Sequence, residues 1–177
     1  MNQKQIENTV KTIGKLKDLK RSGWLMRDVL LPESDADHSF GVAILAMMLA
    51  PDDLNKQRCM ELALVHDLAE IYVGDYTPHD NISKNDKEKK EKEGALRLSK
   101  ELNWPNLIDL VTEYNDKKTP EARFVCLFDK LETLMTAKYY DDNKRAPNAL
   151  LNEFSAHAKK YAKQFEACEI KDIIDNF

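Results

Sequence analysis

The chain of 177 residues is long enough for one domain that buries roughly two thirds of its unfolded surface, and its 27 basic against 31 acidic residues leave a net charge of −4. No overall positive field is present to gather nucleic acid, so a nucleic-acid polymer is not an expected partner. Cys59, Cys126 and Cys168 make no CxxC pair, which argues against a disulfide framework or a thiolate zinc site, and the longest apolar run, Val42 to Ala50, is too short to span a bilayer. With no apolar signal core in the opening MNQKQIENTVKTIGK, the expectation is a cytoplasmic protein with free thiols and no membrane partner.

Only 5 Gly and 6 Pro interrupt the chain, and apolar residues recur at steps of three and four, so helices are expected throughout. Ile6, Val10, Ile13, Leu16 and Leu19 form one helical stripe. Ser34 or Asp35 can cap a second helix carrying His38, Val42, Leu45 and Leu49. A third is expected from about Asp53 to Val73, closed by Gly74, a residue suited to the left-handed conformation just past a helix. The segment from Ser83 to Glu93 has no apolar residue and reads as the solvated start of a helix or a mobile flap. Trp104 and Pro105 introduce a short amphipathic helix with Leu107, Ile108, Val111 and Tyr114. Thr119 then caps a helix that begins at Pro120, carries Phe124, Leu127, Phe128, Leu131, Leu134 and Met135, and holds Asp129 inside it. A last helix is expected near 149–165, before a C-terminal tail. No repeat or linker divides residues 1–177, which read as one all-α domain.

Two of the four histidines, His38 and His66, fall in apolar helices, where an unpartnered polar group is costly. In ALVHDLAEIYVGD, Asp67 follows His66 directly, and Glu70 lies at i+4 from His66 and i+3 from Asp67, so the three can face one pocket. Taken singly, His66 reads as a core histidine bonded to a carbonyl, Asp67 as a surface acid and Asp129 as an ion-pair partner. Together they read as a metal site. Adjacent helical side chains diverge by about 100°, so a cation between His66 and Asp67 needs ligands from other helices. His38 and Asp129 are the natural candidates.

The order His38, then His66 with Asp67, then Asp129 resembles the H…HD…D signature of the HD-domain metal-dependent phosphohydrolases. The runs LKRSGWLMRDVLLPESDADHS and ALVHDLAEIYVGDYTP look like the 5′-deoxynucleotidase branch of that superfamily, and the likeness covers most of the chain. It implies an HD-type helical bundle with the metal site in its interior, and removal of the 5′-phosphate from deoxyribonucleoside 5′-monophosphates. His38, His66, Asp67 and Asp129 would be ligands of the catalytic cation. Glu70 would orient the attacking water or move its proton, and Asp75 would hold the sugar or, near Glu70, a second cation. Arg21 matches the arginine that binds the substrate phosphate; in some relatives it directly precedes the tryptophan, whereas here Ser22 and Gly23 intervene, so Arg27 stays open as the alternative. Trp24 is a secondary candidate for substrate contact besides its ordinary role as a core aromatic. Thr77 and the backbone around Tyr76 would line the pocket. A homodimer is implied by the resemblance alone, since no interface stripe stands out in the sequence.

Two imidazoles with two carboxylates suit Mn, Co, Fe, Ni or Zn better than an all-oxygen magnesium cage, and the sequence leaves the choice, Mg included, open. The same signature admits an HD hydrolase of another small phosphate ester or nucleotide, or a non-catalytic metal- and nucleotide-binding module. Diiron oxygenases of the superfamily use further histidines between the HD pair and the last aspartate, where this chain has only His79.

Overall fold

Side-chain caps start most of the helices, and the position of each cap decides which polar residues are left to face inward. In the computed structural model, which describes residues 2–77, 80 and 82–162, α1 (Gln3–Asp18) begins at Asn2, whose side chain accepts from the Gln5 N–H at 2.9 Å. Its apolar stripe is present but turned largely outward. Leu16 is buried, while Ile6, Val10 and Ile13 are exposed, and the inner side carries Thr12 and Gln5, which donates to the Leu102 carbonyl at 3.2 Å.

A single helical turn, α2 (Ser22–Leu25), follows a bridge between Lys20 and Ser34. There the Arg21 N–H donates to the Glu33 carbonyl at 3.2 Å and the Asp35 N–H to the Leu19 carbonyl at 3.0 Å, which ties the end of α1 to the start of α3 (Asp35–Leu49). Of the two candidate caps, Ser34 is the one used, in a reciprocal capping box with Asp37. Asp35 is therefore not spent on capping, and its side chain is buried.

The helix expected from about 53 to 73 is broken in two, α4 (Lys56–Val65), capped by Asn55, and α5 (Glu70–Val73). Between them the Leu68 N–H donates to the Val65 carbonyl at 3.1 Å and the Glu70 N–H to the Asp67 carbonyl at 2.9 Å. These i to i−3 bonds wind the chain more tightly than an α-helix, so Asp67 and Glu70 eclipse each other and aim at one pocket. Gly74, at φ +82°, ends α5 in a conformation that a side chain would strain.

The charged run is the start of a helix, α6 (Lys84–Glu101), capped by Ser83, whose side chain accepts from the Asp86 N–H at 3.1 Å. Then come α7 (Leu107–Asp116), α8 (Pro120–Asp142), capped by Thr119 with Pro120 in its first turn, and α9 (Leu151–Ala162). The expected extension of α9 through 163–165 lies outside the described residues. Among those residues the architecture is all helical, and no helix is long and apolar enough to cross a membrane.

The main core joins α3, α4 and α8 through Val42, Ala46, Leu62, Ala63, Val125 and Leu134, all buried. Each large aliphatic side chain so covered contributes about 1.5–3 kcal/mol. A second cluster, Trp24 with Val29, Tyr140 and Leu150, seats the α2 turn on α8. The Tyr140 hydroxyl accepts from the Glu33 N–H at 3.0 Å, which holds the segment before α3 in place. Both clusters end at the same polar interior, formed by the start of α3, the α4–α5 turn and the middle of α8.

Candidate active site

His38 lies one turn into α3, His66 caps the C-terminus of α4, and Asp129 sits in the middle of α8; all three are buried. His66 Nδ1 donates to the Ala63 carbonyl at 2.8 Å, the bond of an ordinary core histidine, but this engages only one of its nitrogens. His38 Nδ1 meets the Glu132 carboxylate at 2.5 Å. The Nε2 atoms of both rings are buried and lack a hydrogen-bond partner among the described residues, a costly state for a polar atom. They face carboxylate oxygens: Asp129 Oδ1 is 3.3 Å from His38 Nε2, and Asp67 Oδ2 is 3.1 Å from His66 Nε2 and 4.0 Å from His38 Nε2. Donor atoms of His38, His66 and Asp129 all fall within 4.8 Å of one another. This set of two orphaned imidazole nitrogens and two carboxylates fits a divalent transition metal.

Behind these ligands stands a second layer. Asp129 Oδ2 accepts from the Tyr114 hydroxyl at 2.7 Å and from Lys130 Nζ at 2.9 Å, leaving Oδ1 toward the rings. Glu132 is placed one helical turn beyond Asp129 and fixes His38 with Nε2 inward. Gly41 makes room for it, because a Cβ there would lie 2.7 Å from Glu132 Oε1.

Beside the imidazoles is an acidic floor. Oxygens of Asp35, Asp67 and Glu70 lie within 4.8 Å of one another. Arg21 reaches into this group, with Nη1 3.1 Å from Asp67 Oδ2 and 3.8 Å from Asp35 Oδ1. Asp75 Oδ2 accepts from the Ser22 N–H at 2.6 Å, which locks the segment after α5 to the α2 turn.

Burial and charge oppose each other throughout. Burial acts against the Arg21 charge, but Asp67, Asp75, Asp129 and Glu70 outweigh it and hold the guanidinium more firmly protonated than usual. Burial also opposes ionisation of Asp67, yet His66, Arg21 and His38 keep it well below the usual carboxylate range, and Lys130 with the two histidines does the same for Asp129. His38 is pushed up to about 9, because Asp129 and Glu132 overcome both burial and Arg21. Burial together with Asp67 and Asp75 pushes Asp35 up to about 7 and raises Glu70 well above its ordinary value. Asp67 and Asp129 are thus ready-made anionic ligands, while burial and the neighbouring carboxylates disfavour the ionised form of Asp35 and Glu70.

The carboxylates of this interior border a cleft of about 790 Å³ through Asp67, Glu70 and Asp129, a size that accommodates a nucleotide. Arg21, Asp67, Glu70, Asp75 and Asp129 line it, with Trp24 and Thr77 among its walls. Trp24 is 1% exposed, donates from Nε1 to Glu33 Oε1 at 2.8 Å and packs on Tyr140 and Phe154. Thr77 Oγ1 donates to Asp80 Oδ2 at 2.9 Å. Arg27 also borders the cleft, but donates to the Gly23 carbonyl and the Glu153 carboxylate and lies over the Phe154 ring. Sequence reasoning missed Asp35, Lys130, Glu132 and Tyr114. The i+3 spacing of Glu132 from Asp129 was a usable signal; Asp35 looked like a helix cap.

The HD domain profile matches residues 13–169. The chain is 38% identical over 155 residues to the 5′-deoxynucleotidase HDDC2 of Homo sapiens, spanning 86% of this chain and 76% of that protein. Among solved structures it superposes on the PH0347 protein of Pyrococcus horikoshii with a TM-score of 0.78 and 32% identity, covering 97% of this chain and 96% of the other. A predicted metal-dependent phosphohydrolase of Magnetospirillum magnetotacticum gives a TM-score of 0.63 at 25% identity, covering 91% and 92% of the two chains.

Proposed function

This chain belongs to the HD-domain family, and on that premise we propose that it removes the 5′-phosphate from deoxyribonucleoside 5′-monophosphates, using a divalent cation held by His38, His66, Asp67 and Asp129. The observation that carries the proposal is the pair of orphaned Nε2 atoms facing two carboxylates at the floor of a cleft of nucleotide size. When bound, the cation supplies a Lewis acid that polarises a phosphoryl oxygen and acidifies water at the site.

The protein supplies the rest. Arg21 binds the non-reacting phosphate oxygens through charge-assisted hydrogen bonds and stays charged at every working pH. Glu70 orients the attacking water and takes its proton, a task for which its raised pKa suits it. The water oxygen forms the new P–O bond, the bond from phosphorus to O5′ breaks, and the proton passes to O5′, giving nucleoside and inorganic phosphate. Asp75 contacts the sugar and Thr77 the pocket rim, while Trp24 backs the phosphate-binding turn from the core.

The chain works as one domain over 1–177 in the cytoplasm, on a small nucleotide and not on a nucleic-acid polymer. It forms a homodimer that covers the exposed apolar residues of α1 and α3, among them Ile6, Val10, Phe40 and Met48. A solution mass of one chain by light scattering would remove the dimer. The function itself is tested by a phosphate-release screen over 2′-deoxyribonucleoside 5′-monophosphates, ribonucleotides and 3′-monophosphates with Mn, Co, Ni, Zn, Fe and Mg. We expect the deoxy 5′-monophosphates to be preferred, with modest selectivity among bases. Equal kcat/KM for dAMP and AMP would refute sugar selection and leave phosphohydrolase chemistry standing.

A further inference from the structure

Arg21 lines the cleft and Glu33 does not, yet the two are joined through both main chain and side chain. The Glu33 carbonyl accepts from the Arg21 N–H at 3.2 Å, and the Glu33 N–H donates to the Tyr140 hydroxyl at 3.0 Å, so its backbone is fixed on both sides. Its carboxylate is fixed as well, because Oε1 accepts from Trp24 Nε1 at 2.8 Å. The same oxygen lies 3.8 Å from Arg21 Nε, with the Glu33 and Arg21 side chains only 13% and 15% exposed. Burial and Glu132 push the Glu33 carboxyl up to about 7, against His38, the Trp24 bond and Arg21. An acid desolvated to this degree lowers stability unless it serves a partner, and the cation it faces is the one assigned to the substrate phosphate.

We infer that Glu33 is a positioning residue for phosphate recognition: it holds the Arg21 guanidinium by Nε, so that the two outer nitrogens are presented to a phosphate monoester in the cleft. The inference rests on the phosphohydrolase reading and deepens it. Three carboxylates surround the guanidinium, and they meet it at different atoms. Asp67 and Asp35 come closest to Nη1, at 3.1 and 3.8 Å, whereas Glu33 comes closest to Nε. Asp67 also faces both imidazoles, so its charge is shared with the metal site, and a contact at Nη1 competes with any phosphate that the fork engages. A contact at Nε fixes the plane of the group from its inner edge and leaves the fork to the ligand. Because the fork is rigid, a plane fixed in advance gives two-pronged recognition with little ordering left to do on binding.

The test compares Glu33→Gln with wild type, both full-length and loaded with Mn²⁺, reading KM and kcat for dAMP and, by calorimetry, the dissociation constant of inorganic phosphate. Glutamine keeps an acceptor for the Trp24 indole and removes only the charge, so melting temperature and metal content should match wild type. KM and the phosphate dissociation constant should both rise roughly 10-fold, the low end of what a contact with a charged group is worth, while kcat stays nearly constant, the mark of lost uniform binding. Combining Glu33→Gln with Arg21→Ala separates positioning from packing: the double variant should bind phosphate no worse than Arg21→Ala alone. Phosphate binding in Glu33→Gln as tight as in wild type, or tighter, overturns the inference. So does a further loss of the same size in the Arg21→Ala background, or a loss of metal in Glu33→Gln, which would put its action at His38 instead. If wild type binds phosphate but releases none from any nucleotide, the hydrolase reading falls, and the phosphate titrations alone still decide the role of Glu33.

Discussion

The two halves of the cleft floor follow opposite building plans. In the imidazole half, each ligand is fixed from behind by a neutral or charge-matched partner: the Ala63 carbonyl on His66, Glu132 on His38, Tyr114 and Lys130 on Asp129. In the acidic half, Asp35 and Glu70 have buried oxygens with no hydrogen bond among the described residues, and Arg21 opposes the accumulated charge. One half is preorganised by hydrogen bonds and keeps its shape whether or not it is filled. The other is held by charge balance, so it should respond to protons, cations and substrate.

The largest loss is expected when the imidazole half is removed. His66→Ala and Asp129→Ala should each abolish retention of the first metal and activity together; unchanged metal stoichiometry by elemental analysis in both variants would dismantle the ligand assignment. Glu70→Ala, in the acidic half, should keep the first metal and still bind nucleotide while kcat falls by about 10²- to 10⁴-fold, the usual size of a general acid–base contribution. Wild-type turnover in single-turnover experiments would take Glu70 out of the mechanism. Arg21→Ala should lower kcat/KM by roughly 10- to 100-fold, the worth of a hydrogen bond to a charged group, with metal content normal. A large effect in Arg27→Ala with little in Arg21→Ala would move the phosphate site. Glu132→Gln sharpens the contrast from the other side: metal affinity should fall by about 10- to 100-fold with the fold intact, because only the orientation and basicity of His38 change.

The smallest expected effect is on stability. His38, Asp35 and Glu70 all have folded-state pKa values above their unfolded ones, to about 9 for His38 and about 7 for Asp35. A raised pKa means that the folded state binds the proton more tightly, so the stability it contributes is complete below the unfolded pKa and is lost as pH rises through the folded one. Asp67 and Asp129, with depressed values, contribute above the usual carboxylate range and change nothing further on the alkaline side. Metal-free protein should therefore lose roughly 1–3 kcal/mol between about pH 6 and pH 9, and metal-loaded protein much less, since the cation replaces the protons. Thermal melts in chelator that rise with pH over that range would reverse the sign and contradict the charge-balance plan.

Much of this was legible in the sequence, and what was not has physical causes. The helices at Thr119–Pro120 and around Ser34 announce themselves through caps, His38, His66 and Asp129 stand out as polar side chains on apolar helices, and Asp67 stands out only as the neighbour of His66. The break at 66–69 was not legible, because ALVHDLAEIYV has the period of a continuous helix and contains no Gly or Pro; the i to i−3 bonds that divide it are a tertiary choice. Asp35 was hidden by its neighbour, since an acid beside Ser34 at a helix start satisfies the rules of capping and of the helix dipole equally well. The outward stripe of α1 could not be foreseen either. Periodicity identifies an apolar face but not what covers it, and here Thr12 and Leu16 turn inward while Ile6 and Val10 do not.

The hydrolysis proposed above depends on a cation seated on His38, His66, Asp67 and Asp129. Its most direct test is phosphate release from dAMP by one preparation assayed as purified, after exhaustive chelation, and after stepwise return of Mn²⁺ or Co²⁺, with metal content measured at each step. The chelated protein should be inert, and turnover should return in proportion to bound metal, in wild type but not in His66→Ala. Full turnover by protein shown to be metal-free, or restoration in His66→Ala equal to wild type, would contradict it.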